Sequence, residues 1–347
     1  MDVDERITAA PGRAAPPRPA PPPRPPTPRA SFRERSDLRG AAIGAGRFRL
    51  GAPLGTGGTA IVFSAIRVSD RQAVVVKVLR EAYAQHPELI RRLRREAEVG
   101  RSVSHPGIVQ VLDEGFLPDG SPFLVLERLY GECLARLLQR RGPLPAEEVA
   151  TIALRSAAVL HAAHGHGFVH RDVKPEHIVL DRTVDGHLDV RVLDFGVCAD
   201  RHAPEDELEL ERGRVYGTPT YVSPEQAAGC PGVDARADVF GLGIVMFEAL
   251  SGRLPYRAPK VGQILRKIIR EDAPRIGLIL PELRRDVDEV VAQAMARVPE
   301  RRFASARALS RALLPLCGDR RAVERRLAAD VRRRGPGRRK PKVDAAA

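Results

Sequence analysis

The hydrophobic period changes once along this chain, and that change limits the folds open to it. Up to about residue 130, apolar residues come in short β-like runs. These are FRLGAPLG (48–55), AIVFSAIRV (60–68), AVVVKVL (73–79), IVQVLDEG (108–115) and PFLVLER (122–128), separated by glycine, threonine and polar turns. One helical segment with a strongly basic face, 87–103, interrupts them. From about 132 the spacing turns helical, with long periodic stretches at 146–167, 236–251, 261–271 and 284–297. Strands first and helices afterwards predict an α+β chain of two lobes, a small β-rich one with a single helix and a larger helical one.

Charge needs to be divided before it is read. The net charge is +13, yet residues 1–40 hold eight arginines against five acids, and residues 319–347 hold eleven Lys/Arg against four acids. The basic character therefore belongs to the ends. Such ends could attract nucleic acid or an acidic membrane surface through counterion release; solubilising tails are the plainer reading. Residues 11–28 contain ten prolines, which predicts an extended polyproline segment with no core of its own. We expect 1–47 to be a Pro/Arg-rich segment, folding to begin near Phe48, and 315–347 to be a basic tail. Within that tail Val323, Leu327 and Val331 recur at helical spacing, a narrow stripe that predicts a loosely docked helix.

The most apolar stretch, GLGIVMFEAL (241–250), is about half of a membrane span. The N-terminus is acidic and lacks the apolar core of a signal peptide. Cys133, Cys198, Cys230 and Cys317 are scattered without metal-ligand spacing. Together these predict a soluble cytoplasmic protein with reduced thiols.

Several residues invite a chemical reading, although hairpin glycines and an outward-facing strand lysine are the plainer alternatives for the first of them. Lys77 interrupts the apolar strand VVVKVL, and a lysine there is costly without a partner; Glu96 and Glu98 on the following helix are the nearby candidates. Glycines in the turn LGTGGTAIV (54–62) would let backbone N–H groups close over phosphate oxygens. The stretch VHRDVKPEHIVLD (169–181) sets Asp172 and Lys174 at the mouth of a short strand. Asp194-Phe195-Gly196 follows 22 residues after Asp172, with a strand between. The histidines of HAAHGHGFVH (161–170) invite a metal reading, which we set aside because most of them close a helix, where polar side chains are unremarkable.

In this order, and over residues 48–314, the motifs resemble those of the protein kinases, in particular the eukaryotic-like (bacterial Hanks-type) serine/threonine kinases. The resemblance implies a kinase domain with an N-lobe at 48–128 and a C-lobe at 129–314. It implies transfer of the ATP γ-phosphate to protein serine or threonine hydroxyls, with Mg²⁺ as cofactor or Mn²⁺ in its place. Residue by residue, it implies that Lys77 pairs with Glu96 and contacts the phosphates, that Asp172 is the base, and that Lys174 and Thr218 sit beside it. Leu54, Gly55, Gly57, Val62 and Val75 would enclose the nucleotide. The backbone of Glu127 and Leu129 would hold adenine, with Leu126 guarding the back of the pocket. Asp194 would hold the metal. His170, Arg171, Phe195, Glu225, Asp238 and Arg302 would be structural, with Asp238 bracing the catalytic loop and Arg302 pairing with Glu225.

Three departures from the family pattern bear on activity. His177 replaces the metal-binding asparagine, and an imidazole nitrogen is a poor substitute for an amide oxygen on Mg²⁺ but is better tolerated by Mn²⁺. The alternative it raises is an impaired, pseudokinase-like nucleotide-binding or scaffold module. Gly100 stands where a larger apolar residue is usual, which predicts a mobile helix and a conditional Lys77–Glu96 pair. Between Gly196 and Thr218 the one hydroxyl is that of Tyr216, while Glu205, Asp206, Glu207, Glu209 and Glu211 are acidic. Either one of those carboxylates is expected to partner Arg171 in place of a phosphate, or the segment is simply a solvated acidic loop. The sequence is silent on the protein substrate, the activating signal and the oligomeric state.

Overall fold

The structure is a computed structural model that describes residues 38–183, 185–200 and 213–332. The proline-rich segment, the five carboxylates between 205 and 211, and the end of the basic tail lie outside the described residues.

Six antiparallel strands form one sheet: β1 (Ala42–Ile43), β2 (Phe48–Thr56), β3 (Ala60–Arg67), β4 (Ala73–Leu79), β5 (Val111–Phe116) and β6 (Pro122–Glu127), in the order β1-β2-β3-β4-β6-β5. The period of two decides what each face does. On β4, Val74, Val76 and Val78 are buried with Phe63, Phe123 and Val125 in a small core. Their alternation turns Val75 and Lys77 to the opposite face, which receives helix α1 (Pro87–Ser102). An apolar strand carrying one lysine is thus a strand with a core on one side and a site on the other.

The larger lobe contains α2 (Leu134–Arg141), α3 (Ala146–Gly165), the four-residue α4 (Pro224–Ala227), α5 (Arg236–Ser251), α6 (Val261–Arg270), α7 (Arg285–Ala294), α8 (Ala306–Leu313) and α9 (Arg320–Asp330). Helices α3 and α5 are buried nearly all round, so they form the centre of the lobe with Leu160, Phe240, Ile244 and Phe247. Two small sheets edge it toward the first lobe. One joins β7 (Glu132–Cys133), β9 (Ile178–Arg182) and β10 (Leu188–Val192), and the other joins β8 (Phe168–Val169) to β11 (Ala199–Asp200). The loop between β8 and β9 and the turn after β10 carry the charged motifs. No helix among the described residues is long and apolar enough to cross a membrane.

Three expectations change. Folding starts before Phe48, because Ala42–Ile43 pairs with Phe48–Arg49 and Ile43 joins the small core. The C-terminal stripe is firmly docked: Val323, Leu327 and Val331 lie in the main core. Arg155–Glu324 at 2.6 Å, Arg326–Glu148 at 2.9 Å and Arg140–Asp330 at 2.9 Å tie its rim. The stripe alone underestimated the contact, because Ala328 widens the buried face and the charges flanking it are spent in ion pairs. Gly100 is a close-approach glycine and not a loosening one. A Cβ there would stand 2.6 Å from Val111 Cγ2 and 2.9 Å from the Val109 carbonyl oxygen, so its absence lets α1 seat against β5.

Candidate active site

Lys77 finds its partners where the strand face meets the helix. Its Nζ lies 2.6 Å from Glu96 Oε2 and 3.2 Å from Asp194 Oδ1. Glu98, the other candidate, pairs instead with Arg95. Burial alone would lower the Lys77 pKa, but the carboxylates of Asp194 and Glu96 more than offset it and hold it well above the ordinary lysine value. The same ammonium holds Asp194 far below the usual carboxylate range. Burial pushes Glu96 upward, against the pull of Lys77. The geometry and the two short contacts support an ionised triad of one cation and two anions.

These groups border a cleft of about 660 Å³, within the range of small-molecule sites. Leu54, Gly57, Val62, Val75, Leu126, Glu127 and Leu129 line it together with Lys77, Glu96, Asp194 and His177. Gly55 does not line it; it is paired in register with Val62 along the β2–β3 hairpin. The Glu127 N–H donates to the Gln110 carbonyl, so of that residue only its own carbonyl is left to face a ligand. An apolar slot ending in a lysine and a half-exposed carboxylate suits a ligand with a flat apolar part and a charged end.

The catalytic-loop segment is braced from several sides. Asp238, buried on α5, accepts hydrogen bonds from the N–H of His170 and of Arg171, both at 2.8 Å. The His170 ring lies 2.9 Å from the Leu193 carbonyl through Nε2 and accepts the Asp172 N–H through Nδ1. Phe195 meets the same ring edge-on at 4.5 Å between centroids. Arg171 and Asp194 both adopt left-handed backbone, φ 63° and 62°, a strained conformation that such a network of contacts can hold.

Asp172 faces the stretch that holds Gly217 and Thr218. Its Oδ2 accepts from Lys174 Nζ at 2.7 Å, and its Oδ1 accepts the Thr218 N–H at 2.6 Å. Lys174 also donates to Thr218 Oγ1 at 2.7 Å. Gly217 allows this approach, since its φ is 100° and a Cβ would stand 2.5 Å from the Arg171 carbonyl oxygen. Farther out, Glu225 and Arg302 form a two-pronged ion pair, both contacts at 2.7 Å, and the Arg302 guanidinium is completely buried over the Phe240 ring.

His177 sits within the site. Nδ1 is 3.0 Å from the Asp172 carbonyl oxygen, and Nε2 is 3.6 Å from Asp194 Oδ2. Burial pushes the imidazole down to about 4, so it is neutral under ordinary conditions.

The structure brings together residues that the motifs alone do not mark. His164 Nε2 lies 2.7 Å from Asp238 Oδ2, a partner 74 positions away that no local pattern could supply. Gln226 donates to the carbonyls of Arg171 and Tyr216 while closing a capping box with Ser223. The S-x-x-Q spacing of that box is visible in the sequence. Tyr216 lies against two arginines, Arg171 at 4.7 Å and Arg92 of α1 at 5.6 Å from its ring centroid.

The chain is 33% identical to the serine/threonine-protein kinase pkn3 of Myxococcus xanthus over 281 residues, 80% of this chain and 51% of that protein. It is 35% identical to the serine/threonine-protein kinase PknB of Mycobacterium leprae over 263 residues, 75% of this chain and 41% of that protein. The chain thus spans about half, or less, of the curated relatives it matches. The crystal structure of the Mycobacterium tuberculosis PknI kinase domain superposes with a TM-score of 0.62 at 27% identity, covering 80% of this chain and 98% of that one. The sequence profile of the family described as Protein kinase domain matches residues 48–314. A family profile that covers three-quarters of the chain, over the same residues that build the cleft, leaves one assignment: the chain belongs to the protein kinase family.

Proposed function

We propose that the chain is a serine/threonine protein kinase that transfers the ATP γ-phosphate to hydroxyls of protein substrates. The observation that carries this reading is the adjacency of two formed clusters: Lys77–Glu96–Asp194 lines the cleft, and Asp172–Lys174–Thr218 adjoins it through His177, which contacts the Asp172 carbonyl and faces Asp194. No observation favours the scaffold alternative.

Each residue's part follows from its chemistry. The apolar walls Leu54, Val62, Val75 and Leu129 would sandwich adenine, with the backbone of Glu127 and Leu129 reading its edge. Lys77, held by Glu96, would neutralise phosphate charge. Asp194 would hold a divalent metal ion, which supplies positive charge to the polyphosphate when bound. Asp172, fixed by the Thr218 N–H, would orient the acceptor hydroxyl and take its proton, and Lys174 would stabilise charge on the phosphoryl group in transit. Lysine two positions after the aspartate, bonded to Thr218, is the arrangement that supports a serine or threonine acceptor. A cytoplasmic location is the reading that the four free cysteines and the use of ATP support.

The test is transfer of labelled phosphate from ATP to a generic basic protein, followed by phosphoamino-acid analysis. Asp172→Asn serves as the blank. Label on serine and threonine, absent from the blank, supports the reading; a wild-type rate equal to the blank with every divalent ion tried removes it.

A further inference from the structure

His177 has two ring nitrogens, and its surroundings give them different roles. The Asp172 carbonyl oxygen, 3.0 Å from Nδ1, can only accept a hydrogen bond. Nδ1 therefore carries the proton and donates it to that carbonyl. In the neutral ring this leaves Nε2 with a lone pair. Nε2 faces Asp194 Oδ2 at 3.6 Å, and a carboxylate oxygen is likewise an acceptor. The opposite tautomer would set the Nδ1 lone pair against a carbonyl oxygen at hydrogen-bond distance, which is repulsive. Two lone pairs thus converge across the mouth of the phosphate end of the cleft, and a cation reconciles them.

We infer that His177 Nε2 and Asp194 Oδ2 form a mixed nitrogen–oxygen site that selects a divalent transition-metal ion over Mg²⁺. The separation of 3.6 Å is shorter than two metal–donor bonds of about 2.1 Å laid end to end, so one ion can touch both atoms. Mg²⁺ prefers oxygen donors and gives up water reluctantly, whereas affinity for nitrogen rises along the series from Mn²⁺ toward Cu²⁺. The chain supplies two donors, and polyphosphate oxygens and water complete the shell. The hydrogen bond from Nδ1 to the Asp172 carbonyl orients the ring and raises the basicity of Nε2, as partners of metal-bound histidines do. It also couples the metal to the loop that carries Asp172. The inference rests on the cleft being a nucleotide–metal site.

The experiment uses the full chain with a non-hydrolysable ATP analogue, and Mn²⁺ as a paramagnetic probe. Pulsed electron paramagnetic resonance on protein with ¹⁵N-labelled histidine should show a directly bound ¹⁵N nucleus. Adenine nitrogen is unlabelled, and both His170 nitrogens are engaged by backbone groups, so the signal belongs to His177. In His177→Asn the coupling disappears, and the ratio of Mn²⁺ to Mg²⁺ affinity, read by displacing Mn²⁺ with Mg²⁺, falls by about tenfold. Because the labelling is done on the unsubstituted chain, the result does not depend on the variant folding. Nucleotide and Mn²⁺ bound without histidine coupling overturn the inference and leave the nucleotide-site reading standing. Neither nucleotide nor Mn²⁺ bound overturns both.

Discussion

The Arg171 guanidinium lies 4.7 Å from the ring centroid of Tyr216, and Arg92 of α1 approaches the same ring at 5.6 Å. A neutral ring thus bridges the catalytic loop and the helix that carries Glu96. The carboxylates expected to partner Arg171 fall outside the described residues, while this aromatic contact lies within them. Cation–π attraction of this kind is worth about 0.5–2 kcal/mol per contact. Tyr216→Phe keeps the ring and should leave kcat within about twofold, whereas Tyr216→Ala should lower it by about tenfold. Faster hydrogen exchange through 214–222 in Tyr216→Ala alone would tie the loss to this contact, and equal rates in both variants would refute it.

Lys77 shares its ammonium between Glu96 and Asp194. Glu96→Gln removes one anion and leaves Asp194 as the one carboxylate on the ammonium, with the amide oxygen a weaker acceptor. Phosphoryl transfer should drop by about two orders of magnitude, the scale for losing one preorganised charge contact. Stability should fall by about 1–3 kcal/mol, less than for a buried ion left wholly unpaired. Steady-state kinetics and urea unfolding read the two effects separately.

Gly100 gives a case where two opposing effects can be ranked. Gly100→Ala gains about 1 kcal/mol of helix propensity. It also drives a methyl group to 2.6 Å from Val111 Cγ2 and 2.9 Å from the rigid Val109 carbonyl, and overpacking of this kind costs about 1–3 kcal/mol. We expect Gly100→Ala to be net destabilising and Gly100→Leu more so, with lower midpoints in thermal unfolding. A more stable Gly100→Ala would show that α1 is not seated against β5 in solution.

Arg302 donates to both Glu225 oxygens and to three backbone carbonyls, of Ala296, Arg236 and Arg297, from a buried position. Lysine cannot reproduce that fork. Arg302→Met removes the charge as well and should cost about 3–5 kcal/mol, the scale for breaking a buried ion pair, with Arg302→Lys costing less. A double-mutant cycle with Glu225→Gln should recover a large part of that loss as coupling energy.

Folding stability should depend on pH through His177. Burial lowers its folded pKa from 6.5 to about 4, with Asp194, His170, Lys174 and Asp172 as the charged or titratable neighbours. Between those values the unfolded chain binds a proton that the folded chain refuses, so stability falls as pH drops from about 6.5 toward about 4. Above that window this histidine contributes no slope. Asp194 is depressed too, and its stabilisation is lost only at lower pH, below the ordinary carboxylate value. Unfolding midpoints of His177→Asn should fall less steeply than those of the unsubstituted chain across that window.

Much of the site was legible because its chemistry is local. The lysine within AVVVKVL, the VHRDVKPEH loop and the D-F-G turn each occupy a few consecutive residues, and their order implies one cleft. Contacts between distant segments were not legible. Nothing near His164 points to Asp238, and nothing near Tyr216 points to Arg92. Gly100 was misread from helix propensity because its reason is a strand eleven residues later.

By itself the sequence determined the two-lobed layout, the strand and helix periods, and the need of Lys77 for a partner, while the grouping of Glu96, Asp172 and Asp194 with it was what the resemblance to the protein kinases implied. The layout, the periods and the need of Lys77 for a partner follow from hydrophobic period and from the cost of burying unpaired charge, both of which are written in short windows. The tertiary structure decided which nitrogen of His177 faces Asp194, which ring meets Arg171, and how firmly α9 docks. Each of these depends on where separate segments come to rest within a few ångströms. Hydrogen bonds, tautomers and cation–π contacts switch on over that range, and the spacing of residues along the chain does not encode it.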